Sequence, residues 1–261
     1  MNELRLSASN IGWSAEADST VLSLMRELGY TGLEIAPTRL VGEMPYTKLE
    51  EASQSAIMLR NTYGLCIPSM QSIWYGQQGS LFDSVDAPRL AEYTCRAVDF
   101  AVAVGCPSLV FGNPRQRFVP DGVDPDSAIP FFAQIADYAH ARGVSIALEA
   151  NPPVYGTNFC NTSAEAFAFA RRIPHLAVNY DLGTLLTNVE SPDVLFENLD
   201  LVSHIHLSEP GLAPITPRPL HRELAHRLQE AGYAGFVSIE MKTQSIETVS
   251  GVLRYAAEVF L

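Results

Sequence analysis

Apolar positions recur along the chain with two different spacings. Eight short runs rich in β-branched and other apolar residues read as strands: LRLSAS (4–9), GLEIA (32–36), LCIPSMQS (65–72), PSLVFG (107–112), VSIALEA (144–150), LAVNYD (176–181), LVSHIHL (201–207) and GFVSIEM (235–241). Between them lie longer amphipathic stretches that predict helices, among them 19–30, 87–105, 125–143 and 222–233. Gly29, Gly105, Gly143 and Gly232 fall where helix C-caps are expected. This repeated order of helix, glycine and strand is the grammar of a parallel sheet. Eight such units close most naturally into an α/β fold of the (β/α)8, or TIM-barrel, type. A doubly wound sheet would alternate in the same way, but no G-x-G-x-x-G follows the first run.

The length of 261 residues suits one such barrel, and no linker-like stretch divides it, so a single domain over 1–261 is expected. Apolar residues make up 47% and charged residues 18%, enough to bury a sizeable core. The net charge of -12, from 17 Lys+Arg against 29 Asp+Glu, comes with no basic run. That balance argues against nucleic acid and against an anionic membrane surface as partners, since both are held mainly by Lys and Arg. Cys66, Cys95, Cys106 and Cys160 form no C-x-x-C pair and read as reduced, mostly buried thiols of a cytoplasmic protein. The first residues lack the charged and apolar regions of a signal peptide, and no apolar run reaches the ~18 residues of a membrane span.

One stretch, SIALEANPP (145–153), poses a chemical question: an apolar run that reads as a buried strand ends on the carboxylate of Glu149. A buried carboxylate without a partner is costly, so a cation or a donor is expected beside it. In a barrel the active site lies at the carboxyl ends of the strands. The fifth run ends in Glu149, the sixth in Asp181, the seventh in His206 and the eighth in Glu240. The bland reading is four separately satisfied polar residues at a polar mouth. Four ligand types at four successive strand ends point instead to one shared divalent metal, because neighbouring strands stand only about 4.8 Å apart. Three carboxylates and an imidazole suit Mn, Mg, Co or Zn and leave coordination positions for substrate oxygens.

The motifs ALEANPP, NYDLGT, HIHLSEP and SIEMK come in an order and at intervals that resemble the xylose isomerase-like family of sugar and sugar-phosphate isomerases and epimerases. The resemblance covers the whole chain, GYTGLEIAP at the second run included. It implies that Glu149, Asp181, His206 and Glu240 hold the metal, and that Glu149 and Glu240 are also the catalytic acid/base pair on opposite sides of a bound sugar. The metal would chelate a carbonyl and an adjacent hydroxyl and stabilise the enediolate formed when one Glu removes the carbon-bound proton. Return of the proton to the same carbon epimerises; return to its neighbour isomerises.

Two positions depart from the family's pattern. Many members carry Asp-x-x-His after the sixth strand, where this chain has Thr184, and ketose 3-epimerases tend to place a second Glu where it has Tyr155. Both departures remove sugar-orienting groups, so the family's epimerase substrates do not carry over, and Thr184 weakens the multi-metal endonuclease reading.

Further candidates surround the mouth. Alternation puts Lys242 on the side of Glu240, to hold a substrate oxygen or to pair with an acid such as Glu209. His204 lies one layer below His206, where a hydrogen-bonded core histidine is the commoner outcome. Glu34 is a substrate ligand or the partner of a loop arginine. Arg115 and Arg117 are placed to clamp a phosphate or carboxylate, or to lie solvated in the loop. Trp13, Trp74 and Phe111 either wall a sugar's apolar face, Trp74 foremost, or close the barrel top.

The leading expectation is a metal-dependent isomerase or epimerase acting on a small carbohydrate. Its rivals are a lyase or dehydratase acting on a keto-sugar or keto-inositol, and a non-catalytic sugar-binding barrel. A homo-oligomer is compatible with a barrel of this size.

Overall fold

The computed structural model describes residues 4–261. Seven parallel strands form one sheet: β1 (Arg5–Ser9), β2 (Gly32–Glu34), β3 (Ser108–Phe111), β4 (Ser145–Glu149), β5 (Leu176–Asp181), β6 (Val202–Ser208) and β7 (Phe236–Glu240). They are ordered β2-β1-β7-β6-β5-β4-β3. The helices are α1 (Asp18–Glu27), α2 (Pro37–Val41), α3 (Leu49–Tyr63), α4 (Asp86–Val104), α5 (Ile129–His140), α6 (Ser163–Ala170), α7 (Leu182–Asn188), α8 (Asp193–Phe196), α9 (Pro219–Glu230) and α10 (Ile246–Phe260).

Seven of the eight expected strands are regular, and 65–72 is not. That segment touches the sheet only through isolated parallel bridges, Cys66 to Gly32 and Met70 to both Ile35 and Leu109. Pro68 sits in its middle, has no N–H to give, and interrupts the ladder. The segment still fills the gap between β2 and β3. Leu33 N donates to Cys66 O, Gln71 N to Ile35 O, Met70 N to Ser108 O and Val110 N to Met70 O, all at 2.8–2.9 Å. The ring of strands is thereby closed as a (β/α)8 barrel with one irregular stave.

Helix boundaries follow the local signals. Gly105 caps α4 at φ 70°, a left-handed conformation that a Cβ would oppose, and Gly29, Gly143 and Gly232 share that sign of φ. In 125–143 the prolines split the expected helix into a 3-10 turn, Pro125–Ala128, and α5. Leu6, Ile35, Met70, Leu109, Ile146, Leu148, Ile205, Leu207 and Val237, on the strand faces that alternate with the site residues, belong to a single buried apolar cluster with the inner faces of the helices. Above it, the carboxyl ends of β4 to β7 carry the polar residues considered next.

Candidate metal centre

Strand register brings the four predicted ligands together. Asp181 pairs with His206 across β5 and β6, and Ser208 with Glu240 across β6 and β7, while Glu149 at the end of β4 faces Asn179. One ligand atom from each of Glu149, Asp181, His206 and Glu240 falls within 4.8 Å of all the others. His206, 0% exposed, is the hub: its Nδ1 stands 3.0 Å from Glu149 Oε1 and 3.2 Å from Glu240 Oε2.

The tautomer of His206 follows from its other side. Nε2 lies 2.9 Å from Glu34 Oε2, and a carboxylate can only accept, so the ring proton sits on Nε2. In the neutral ring that leaves the Nδ1 lone pair directed between two carboxylates, with no donor to accept from. An imidazole held by a carboxylate through one nitrogen, with the other free, is the arrangement of a metal-ligating histidine. The residues present fit a divalent cation.

The carboxylates are each steadied by donors. Glu149 accepts from Asn179 Nδ2 (2.7 Å) and Asn151 Nδ2 (3.2 Å), and Glu240 accepts from Gln71 Nε2 (3.1 Å). Asp181 accepts from Thr184 N at 2.6 Å, as the N-cap of α7, and from Ser208 Oγ. Thr184, in the place of the family's histidine, spends its hydroxyl on Ala150 O at 2.9 Å.

Crowding of charge shifts the titration of these groups. Burial, reinforced by the neighbouring charge of Glu149, pushes Asp181 up to about 6. Burial also pushes Glu240 up, to about 7, with Glu149 and Glu34 adding to it. For His206, burial opposes the charged form, but Glu34 and Glu240 outweigh it and raise its pKa well above the ordinary value. Burial likewise opposes charge on Glu34, yet His206 and His204 hold it well below the usual carboxylate range. The pull toward a second proton on Nδ1 is the pull that a bound cation would satisfy.

The outer candidates distribute differently. Glu34 pairs with no loop arginine: its side chain turns into the barrel and meets His204 Nε2 (3.1 Å), His206 Nε2 and Ser69 Oγ (2.6 Å). His204 is buried in that same cluster beneath the site. Lys242 follows the end of β7, so strand alternation no longer governs it. It is exposed, and Glu209 pairs instead with Arg218, Nε to Oε1 at 2.8 Å.

Arg115 and Arg117 do not form a common clamp. They sit two apart in a 3-10 turn, Arg115–Arg117, whose three residues per turn send them to different sides, Arg115 to solvent and Arg117 inward. Trp74 is 1% exposed, donates Nε1 to Thr94 Oγ1 at 2.8 Å and packs edge-on against Phe111 and Phe131. Trp13 is buried too, its Nε1 bonded to Asp18 at 2.8 Å. Both indoles are taken up in packing, and neither presents an exposed face.

Sequence reasoning missed Ser69, Gln71, Asn151, Asn179 and Ser208. Asn179 had a legible signal, lying two positions before the candidate ligand Asp181 on its strand and therefore on the same face. Gln71 had none, since its segment is not a regular strand.

A family model described as xylose isomerase-like TIM barrel matches residues 22–259. The chain belongs to that family. No curated protein matches it. Among solved structures, this family member is similar to a 3-keto-D-glucoside 4-epimerase from E. coli, at 18% identity and TM-score 0.75, over 98% of this chain and 100% of the other. A D-psicose 3-epimerase from Clostridium cellulolyticum H10 matches at 15% identity and TM-score 0.78, over 98% and 99%. A probable 3-DHS dehydratase from Bacillus anthracis matches at 13% identity and TM-score 0.73, over 98% of each chain. At these identities the likeness is one of fold. The four cysteines are unpaired, Cys106 and Cys160 buried and the other two partly so. No helix among the described residues is long and apolar enough to cross a membrane.

Proposed function

We propose that the chain is a divalent-metal-dependent isomerase or epimerase of a sugar or sugar phosphate. The observation that carries this reading is the convergence of Glu149, Asp181, His206 and Glu240 on one point, with the His206 Nδ1 lone pair directed between Glu149 and Glu240. A divalent cation held by these four would supply Lewis-acid polarisation of a substrate's carbonyl and adjacent hydroxyl. The native cation is one of Mn, Mg, Co or Zn, and three oxygen donors with one imidazole nitrogen suit Mn well.

The chain's own residues move the proton. Glu149 and Glu240 reach the centre from strands β4 and β7, on either side of β5 and β6. Each is fixed by amide donors, so its carboxylate meets the substrate in a set orientation, one Glu taking the carbon-bound proton and the other or the same one returning it. With its pKa near 7, Glu240 exchanges a proton readily at neutral pH. Arg115 and Lys242, both exposed beyond the ends of β3 and β7, are the cationic side chains open to a substrate's phosphate or carboxylate. The family and the epimerases of like fold support a carbohydrate as the substrate. The net charge of -12 fits a small molecule better than nucleic acid.

The test is incubation of the Mn-loaded protein with a panel of ketoses, keto-glycosides and their phosphates in D2O, read by mass spectrometry. A product with one deuterium and otherwise unchanged mass is expected. Loss of water would replace the proposal with a dehydratase, and absence of exchange with every substrate would refute the proton-transfer reading.

A further inference from the structure

Arg117 is 0% exposed, and its guanidinium forms no ion pair among the described residues. Its Nη2 donates to Asn151 Oδ1 at 2.5 Å, while Nε and Nη1 find no acceptor. Burying a cation in this way is costly, and an apolar side chain of similar length would fill the space without the cost. Stability alone therefore gives no reason for an arginine here.

The bond has a consequence two residues away. A guanidinium has donors and no acceptor, so it can face only the oxygen end of the Asn151 amide. The nitrogen end is then turned to Glu149 Oε2, at 3.2 Å, and to Ala150 O, at 3.0 Å. A flipped amide would set donor against donor at Arg117 and acceptor against acceptor at Glu149. With Oε2 so held, Oε1 accepts from Asn179 and lies against His206 Nδ1.

We propose that Arg117 is a positioning residue of the metal centre: it locks the Asn151 amide in the orientation that donates to Glu149, and thereby keeps Glu149 Oε1 turned toward the cation. Arg117 acts through Asn151 and touches neither ion nor substrate. Burial pushes its pKa down to about 10, which leaves it charged at neutral pH. This inference rests on the metal-binding reading above.

The experiment is Mn2+ titration by calorimetry of wild type, Arg117→Met, Asn151→Ala and the double variant, with melting temperatures recorded alongside. Arg117→Met is expected to weaken Mn2+ binding about tenfold, the lower end of what outer ligand partners contribute. The double variant is expected to bind no more weakly than Asn151→Ala, because the arginine has no other route to the site. A purely structural arginine would lower the melting temperature and leave Mn2+ affinity unchanged; that result, or additive losses in the double variant, overturns the proposal. Should Arg117→Met fail to fold, Asn151→Asp decides, since it keeps an oxygen for Arg117 but turns an acceptor on Glu149: wild-type affinity in that variant overturns the proposal equally. If wild type itself binds no Mn2+, the metal reading falls and this inference with it, whereas wild-type binding with an unaffected Arg117→Met sinks this inference alone.

Discussion

Glu34 Oε2 lies 2.9 Å from His206 Nε2, on the side of the ring away from the candidate cation. One acid from the second strand thus fixes both the tautomer and the orientation of the only nitrogen ligand. Replacing it by Gln keeps the shape and an acceptor but removes the charge that makes the imidazole a better donor. Glu34→Gln should weaken Mn2+ binding roughly 10–100-fold, measured by calorimetry, with the fold intact by circular dichroism. Unchanged affinity would mean that Glu34 only fills the barrel.

Metal binding should depend steeply on pH. The folded-state pKa values of Asp181 and Glu240 are raised from 3.8 to about 6 and from 4.5 to about 7. Their contribution to the stability of the metal-free protein is complete at pH values below the ordinary ones and is lost as pH rises through about 6 and 7. A cation needs the ionised carboxylates and a free Nδ1, so the rise in melting temperature on adding Mn2+ should grow across that window. Differential scanning fluorimetry at pH 5.5 to 8 with and without Mn2+ checks this; a flat difference would rule out these groups as the ligands.

Trp74 separates packing from recognition. Its ring is buried against Phe111 and Phe131 and its N–H is bonded to Thr94. Trp74→Ala should cost ~3–5 kcal/mol in chemical denaturation. Mn2+ affinity, measured at a temperature where the variant is folded, should stay within about threefold of wild type, since the ring's bonded and stacked partners, Thr94, Phe111 and Phe131, are not candidate ligands. A small stability loss with a large effect on ligand binding would restore the substrate role.

Gly112, just past β3, leaves room for a ligand. A Cβ at that position would come 2.8 Å from Glu149 Oε2, closer than such atoms approach, so Gly112→Ala must displace the carboxylate. Reduced Mn2+ affinity with little change in melting temperature is the expected outcome, and retained affinity would show that Glu149 can swing aside without loss.

Much of the barrel was legible because its signals are local. Strand runs, amphipathic helices and capping glycines each depend on a few neighbouring residues, and seven of eight strands formed where the pattern put them. The eighth became an irregular stave because Pro68 removes a donor in mid-segment, a local fact whose consequence depends on both flanking strands. At the site, the convergence of the four candidate ligands was legible from their places at successive strand ends. The inward turn of Glu34, the burial of Arg117 and the loss of Lys242 from the strand's alternation were not, because each depends on what another segment supplies.

Composition and periodicity by themselves determined a parallel α/β barrel with Glu149, Asp181, His206 and Glu240 at its carboxyl ends, since backbone geometry converts a two-residue alternation into a face and a strand end into a rim. Only the tertiary structure decided which groups steady those four. Hydrogen bonds such as Glu34 to His206, Gln71 to Glu240 and Arg117 to Asn151 join residues 34 to 172 positions apart, and their formation rests on the register and closure of the whole ring.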